Sequence, residues 1–450
     1  QKSLALLKKY CWGLRRQLEY WHMGMAIQLK RYWLYCWKLR VDTLMGNKNF
    51  DFVVIGAGIV GLTIARELSS RYSGKRIAIV EKESMIGKHS SGRNSGVLHS
   101  GIFYPAQSLK AKVCSSGAQQ LSAYCTQAGL PINKIGEVIL PTREEDDQQI
   151  EVLLERGATN GVTVELIDRQ QLAELEPEAY SATGRALWLP NISVIDSMAV
   201  LNHLVTELKI QGVVFYLGEN AMQIDPAVRS VSLSSVTLSY SHLVNSAGLH
   251  ADRLAEKFSV GKQYTFLPFK GIYYKLSPSS GLNIRHLIYP VPDLRVPFLG
   301  VHYTTAINGQ VYLGPTAIPV FGRENYFGFQ GVNLQDTSSI IYRLIKQYMA
   351  NHQGFRLLTK NEGRCFFKKN FVEAARVLTP RLKSEHLLTC GKVGIRPQLV
   401  DMEKNELVMD FVVEKGKNST HILNAISPAF TSSFAFAEHV VTNYIEKREN

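Results

Sequence analysis

The stretch from Asp51 to Glu81, DFVVIGAGIVGLTIARELSSRYSGKRIAIVE, limits what this chain can fold into more than any other segment. The apolar run Phe52 to Ile55 predicts a buried strand. Gly56, Gly58 and Gly61 follow in G-x-G-x-x-G order. Ile59 to Leu68 has helical spacing, and Arg76 to Val80 returns as a second strand that Glu81 closes. Each part has a physical task. Gly56 permits a tight turn, Gly58 lets a pyrophosphate approach the backbone, and Gly61 lets the helix pack close to the strand. The helix start offers free N–H groups and a positive dipole end to phosphate. Glu81 can accept hydrogen bonds from a ribose. A glycine fingerprint between strand and helix, with an acid at this distance, predicts a bound dinucleotide.

At 450 residues the chain is long for one core, which predicts two lobes. No run of about eighteen apolar residues occurs, so no transmembrane helix is expected. The six cysteines (Cys11, Cys36, Cys114, Cys125, Cys365, Cys390) form no C-x-x-C pair, and read as free thiols in a reducing compartment. The net charge of +13 is unevenly spread. Residues 1–48 hold ten Lys or Arg against Glu19 and Asp42, a net +8, and four of the five Trp. Such a basic, acid-poor segment suits a mitochondrial presequence or a helix lying on an anionic membrane. It is poor in Ser and rich in aromatics, which is unusual for a presequence. Nucleic-acid binding is a poor reading of its charge.

Gly87–Pro105 (GKHSSGRNSGVLHSGIFYP) is a Gly/Ser-rich loop able to approach a cofactor, with Ser91, Asn94 and Ser95 as polar contacts for a pyrophosphate or a flavin carbonyl. Residues 108–129 and Ser197–Lys209 have helical spacing, and Thr142 with Glu145 reads as a capping box ahead of another helix. Met222 to Tyr240 alternates at period two, predicting antiparallel strands. His242–Gly248 is a buried strand ending in small residues, where Gly248 would bring backbone close to the cofactor. Tyr264–Phe329 is rich in aromatics, prolines and short strands, and Asp336–Met349 and Thr431–Glu446 read as helices. The expected architecture is α/β with α+β elements. A Rossmann-type lobe from residues 49–110, 185–260 and 370–450 would carry the cofactor. A largely antiparallel-sheet substrate lobe would come from 111–184 and 261–369, with the basic segment 1–48 ahead of both.

There is no second G-x-G-x-x-G, so one dinucleotide is expected. The Ser/Gly loop and the closing SPAFTSSFAFAE, with Thr431, would add contacts along a long cofactor, which favours FAD. The order of SGRNSGVLHSGIFY, EPEAYSATGRALWLPNISVIDS, LVNSAGLHAD, PFKGIYY, YPVPDLRVPFLGVHYT and GIRPQL resembles the D-amino-acid-oxidase-type FAD oxidoreductases, and within them the L-2-hydroxyglutarate dehydrogenases. The resemblance covers essentially all of residues 50–445. It implies oxidation of L-2-hydroxyglutarate to 2-oxoglutarate by hydride transfer from C2 to flavin N5. It also implies electron transfer to a quinone or an electron-transfer flavoprotein, and a place on the matrix side of the mitochondrial inner membrane. Lys270 stands where related chains often carry Arg, and Ala429-Phe430 replaces a smaller pair.

That chemistry needs a base near neutrality, which histidine provides. His99 (GVLHSG) and His302 (GVHYT) are the candidates; a structural histidine bonded to backbone is the alternative for each. A dicarboxylate needs cations. Arg396 in GIRPQ is the expected carboxylate clamp, and Lys270 is placed near the flavin ring. Arg93 and Arg295 are weaker candidates, while Tyr104 and Tyr289 are possible hydrogen-bond donors. No metal site is expected, because the histidines His89 and His99 have no ligand partners at workable spacing. Two other readings stand beside this one: oxidation of a C–N bond by the same fold, and a flavin-fold assembly factor without turnover.

Overall fold

The computed structural model of the protein describes residues 48–447. The presequence and membrane-helix expectations for the N-terminal segment therefore fall outside the described residues. The described chain forms two units. The smaller comprises residues 48–49 and 222–239, where Gln223–Asp225 and Ser230–Ser232 pair antiparallel and Ser230–Ser232 pairs again with Thr237–Ser239. The period-two alternation of Val231, Leu233, Val236 and Leu238 fits this, with all four buried.

The larger unit holds the nucleotide motif and everything around it. Strand β1 (Lys48–Ile55) pairs in parallel with β2 (Ile77–Glu81) in the register Phe52↔Ile77 to Ile55↔Val80. Helix α1 (Ile59–Arg71) crosses between them. Strand Val214–Leu217 extends the sheet beyond β2, and Thr237–Asn245 flanks β1 and pairs in parallel with Ser419–Asn424. Leu62, Ile64 and Leu68 of α1 are fully buried against Val54 and Ile79 of the sheet and against Leu201, Leu204, Phe436 and Val440 of two later helices. Burying a Leu or Ile side chain contributes about 1.5–3 kcal/mol. This core closes only when helices Ser197–Ile210 and Ser433–Val440 are in place. Asp196 caps the first of these by accepting from Met198 and Ala199 N–H at 2.9 and 3.0 Å.

A second sheet of ten strands is antiparallel except where Leu287–Pro290 runs parallel to Glu137–Leu140. Its spine is the long pair Tyr264–Leu276 and Leu387–Asp401, with Phe269 opposite Arg396 and Lys270 opposite Ile395. Ala186–Leu189 pairs with Glu137–Leu140 and so belongs to this sheet, as does Leu387–Asp401. The expected lobe boundaries put both strands with the cofactor lobe. Their partners decide otherwise, because a strand joins the sheet that satisfies its backbone groups. A third, small sheet joins Val97–Leu98 and Ile132–Lys134 to the two edges of Ser193–Ile195. The capping box is also corrected. The carboxylate that bonds Thr142 and Arg143 N–H, both at 3.1 Å, is that of Asp146, and Glu145 faces solvent.

Glu137 is the one acid on a buried strand that reads EVIL. It is 2% exposed, and its Oε1 has no hydrogen-bond partner among the described residues. Burial pushes its carboxyl up to about 8. The folded protein therefore binds a proton that the unfolded chain releases above its ordinary value of 4.5. Stability falls as pH rises from about 4.5 to about 8. Glu137→Gln is expected to stabilise the protein at pH 8 by on the order of a few kcal/mol, read as a higher urea midpoint, and to leave the midpoint nearly unchanged at pH 4. Equal midpoints for variant and parent at both pH values would show that Glu137 is ionised in the fold.

Candidate active site

The glycines of the fingerprint are held by contact as well as by conformation. Gly56 has φ 104°, and a Cβ there would lie 2.5 Å from the Ser246 carbonyl oxygen. A Cβ on Gly61 would lie 2.0 Å from the Gly56 carbonyl oxygen, closer than any side chain permits. The helix Ile59–Arg71 starts at Gly58 with no side-chain cap and no acid in its first turn. The end of such a helix suits an anion. Ser91 Oγ accepts from Ile59 N–H at 3.0 Å, which brings the Gly/Ser loop over the helix start. Glu81 ends β2 with its carboxylate accepting from Ala57 and Glu83 N–H at 2.9 and 3.0 Å. Each oxygen keeps a second lone pair for a ribose hydroxyl. This cradle fits an ADP-ribosyl half of FAD.

The other expected cofactor contacts take mixed roles. Asn94 donates to Ser91 carbonyl at 2.6 Å and accepts from Gly96 N–H and Ser197 Oγ, so it shapes the loop. Ser95 Oγ accepts weakly from Val97 N–H. Thr431 Oγ1 accepts from His99 N–H and donates to Val97 carbonyl, tying the closing segment to the His99 loop. Gly248 has φ 54° and open space where a side chain would stand. Arg93 donates to two backbone carbonyls, those of Lys88 and Val393, and lies over the Tyr326 ring. Arg295 is paired with Asp293 on the surface.

His302 opens the strand His302–Thr305. Its ring stacks on Tyr289, centroids 4.1 Å apart, and its Nδ1 lies 2.8 Å from the Gly300 carbonyl. A carbonyl only accepts, so Nδ1 carries the proton and Nε2 keeps its lone pair. Burial, partly offset by the Gly300 bond, brings the imidazole down to about 4. His99 follows Val97–Leu98. Its carbonyl accepts from the Cys114 thiol at 3.4 Å, and its ring has no hydrogen-bond partner among the described residues. It keeps some accessible surface but lies deep in the fold, and burial, with the Arg396 charge, brings it down to about 4. Both rings are therefore neutral near pH 7.

Arg396 sits opposite Phe269 in the sheet, its guanidinium 5.0 Å from the Phe298 ring centroid. It makes no ion pair among the described residues, and its Nε is buried without a partner. Burial brings it down to about 10, with the Tyr104 hydroxyl acting the other way. A half-buried guanidinium without an ion pair among the described residues, its Nε buried and unpartnered, is chemically suited to an anion. His99, His302, Arg396 and Tyr104 thus come together. Lys270 does not join them: it is the ladder neighbour of Phe269, and successive side chains leave opposite faces of a sheet.

The sequence reading missed Lys110, which belongs to this cluster. It lies in the first turn of helix Leu109–Gln127, is 2% exposed, and its Nζ stands 5.4 Å from the Tyr104 ring centroid. Burial, then the Arg396 charge, brings it down to about 7, against the pull of Asp410. The Asp410 carboxylate is committed to the Leu109 and Lys110 N–H groups at 2.7 and 2.9 Å. The only signal was faint: Lys110 and Lys112 lie two apart in SLKAKV, on opposite sides of a helix.

Long-range folding also gives His89 the partners that spacing denied it. Its Nε2 lies 3.1 Å from Glu83, and Glu324 is beside it, so the ligand atoms of these three residues lie within 4.8 Å of one another. Lys82 pairs with both carboxylates, and His250 bonds Glu324 at 2.8 Å. The two carboxylates are thus already opposed by charge, and Glu324 is held down to about 2 by its His250 and Lys82 bonds, against burial. The network joins the end of β2 to the loop over the cofactor cradle.

Fold and site together define a flavin-dependent oxidoreductase, and residues 51–442 match the family of FAD dependent oxidoreductases (DAO). Its cofactor is FAD. The L-2-hydroxyglutarate dehydrogenase of Indibacter alkaliphilus is 33% identical over 86% of this chain and 96% of its own length. The mitochondrial L-2-hydroxyglutarate dehydrogenase of Bos taurus is 34% identical over 87% of this chain and 88% of its own. The chain belongs to the L-2-hydroxyglutarate dehydrogenase family. Among solved structures, the FAD-bound L-alpha-glycerophosphate oxidase of Mycoplasma pneumoniae has the same fold, with a TM-score of 0.67 at 20% identity over 88% of this chain and 94% of that one. No helix among the described residues is long and apolar enough to cross a membrane.

Proposed function

We propose that this protein oxidises L-2-hydroxyglutarate to 2-oxoglutarate with His302 as the base and Arg396 as the carboxylate clamp. The observation that carries this assignment is the unopposed, half-buried guanidinium of Arg396, its Nε unpartnered, in the same cluster as an imidazole whose tautomer is fixed. FAD, when bound, accepts the hydride that leaves C2. Arg396 grips the carboxylate next to that carbon through two parallel N–H bonds. His302 Nε2 takes the hydroxyl proton as the carbonyl forms. Lys110 supplies a second positive charge, which a diacid needs and a monoacid does not. His99, with no partner to fix its ring, orients the substrate. Electrons then leave for a quinone or an electron-transfer flavoprotein at the matrix face of the mitochondrial inner membrane. The mitochondrial relatives in animals and the basic, acid-poor segment 1–48 support that location.

Anaerobic mixing with each enantiomer tests the reaction. Bleaching of the flavin band by the L but not the D form is the expected result. A yellow protein that either enantiomer leaves unbleached, yet glycine or sarcosine bleaches, would replace the hydroxy acid with an amine.

Lys110 gives the reaction a pH signature. With its ammonium near 7, the second charge is present below that pH and lost above it. For L-2-hydroxyglutarate, kcat/KM is expected to fall above about pH 7. Lys110→Arg should move that alkaline limb upward, and Lys110→Met should remove it and lower kcat/KM at pH 6 by about tenfold or more. For a monocarboxylic 2-hydroxy acid the same variants should change little. Matching losses on both substrates would remove Lys110 from the distal carboxylate.

A further inference from the structure

The helix Leu334–Ala350 turns Ile340 and Leu344 to the core but leaves a longer apolar stripe in water. Asp336 and Gln347 face the protein, 7% and 2% exposed. Leu334, Ile341, Ile345 and Met349 fall at spacings of seven, four and four, on one side of the helix, and all are exposed, Leu334 by 92% and Met349 by 70%. Tyr342 and Tyr348 border this stripe and are also exposed. The turn ahead of the helix adds Phe329, 91% exposed. An ordinary surface helix turns its apolar stripe to the core, and a contiguous apolar face in water marks an interaction surface.

The charge beside this stripe is one-sided. From residue 337 to 372 the chain holds seven cations and a single acid, Glu362. Glu362 is buried and accepts from Ala317 N–H at 2.6 Å, so it neutralises none of them at the surface. Lys346, Arg356, Lys360, Arg364 and Lys369 are exposed, and none has a carboxylate partner among the described residues. An open groove of about 480 Å³ is lined by Tyr348, Leu357 and Thr359 with the cations Arg356 and Lys360. It offers an apolar floor and two positive groups to one amphipathic anion.

We propose that this face, the exposed side of Leu334–Ala350 with the basic residues 346–369, docks the protein onto an anionic lipid bilayer. Charge selects this occupant over the two nearest alternatives. Residues 1–48 of the same chain carry a net +8 and would be repelled by the cations. A second copy would bring the same cations against themselves. A bilayer with acidic headgroups offers apolar depth to the stripe and negative charge to its border, as amphipathic interfacial helices require. The inference does not rest on the reaction proposed above.

The test is cosedimentation of the full chain with vesicles of phosphatidylcholine containing about a quarter phosphatidylglycerol. Binding is expected to be at least tenfold tighter than to pure phosphatidylcholine and to weaken with salt. Ile345→Glu with Met349→Glu should weaken it by about tenfold or more, and so should Lys346→Glu with Lys360→Glu. Anaerobic flavin bleaching by substrate should stay unchanged in both variants, which separates lost docking from lost folding or chemistry. Parent-like vesicle binding by both variants would overturn the proposal. So would a dimer in solution that Ile345→Glu dissociates, since the face would then join two copies.

Discussion

Replacing Arg396 with Met should make the protein more stable and nearly inactive. The guanidinium has no anion among the described residues, and its Nε is buried without a partner. The empty protein therefore bears a desolvation cost that substrate relieves. Replacing a partly buried, unpaired charge by an apolar side chain of similar volume is expected to stabilise, here by about 1 kcal/mol. Removing the partner of a desolvated carboxylate costs about 2–5 kcal/mol of binding, so kcat/KM should fall roughly 30- to several-thousand-fold. Thermal melting and steady-state kinetics on one preparation read both effects. A variant that melts lower and keeps its kcat/KM would mean that Arg396 is structural.

His302→Gln should slow flavin bleaching by about two to four orders of magnitude while the protein stays yellow. The substitution removes the Nε2 lone pair and keeps a side chain able to donate near Gly300. His99→Gln should act mainly on KM, because no bond fixes the His99 ring for proton abstraction. The pH profile offers an independent reading. With both imidazoles near 4, the acid limb of kcat/KM should lie well below the ordinary histidine value of 6.5. If His99→Gln stops bleaching and His302→Gln does not, the two histidines exchange roles.

The nucleotide motif is legible in the sequence because its causes are local. A turn, a close backbone approach and a helix start are each written within six residues, from Gly56 to Gly61. His99, His302 and Arg396 stand out because they interrupt glycine-rich or strand-like stretches where a charge has no structural reason. What the sequence hides depends on register and on distant partners. Lys270 and Arg396 both look suited to an anion, but the pairing of Phe269 with Arg396 sends them to opposite faces. Lys110 reads as one of two ordinary helix lysines until Tyr104 and Phe411 close over it. Nothing in the sequence marks Glu137 as buried, whereas its strand is covered on both faces. The helix Leu334–Ala350 shows its period plainly, but a period does not say which way a face points.

Thr431 holds the His99 loop through two hydrogen bonds, and the helix that follows it completes the packing on α1. The partners of residues 97–99 are thus made more than three hundred positions later. A ribosome makes them only after the whole intervening stretch, so a nascent chain can spell the nucleotide fingerprint long before the His99 loop has its partners. A stop or frameshift before Thr431 leaves a polypeptide with its whole glycine motif but without the two bonds that hold residues 97–99.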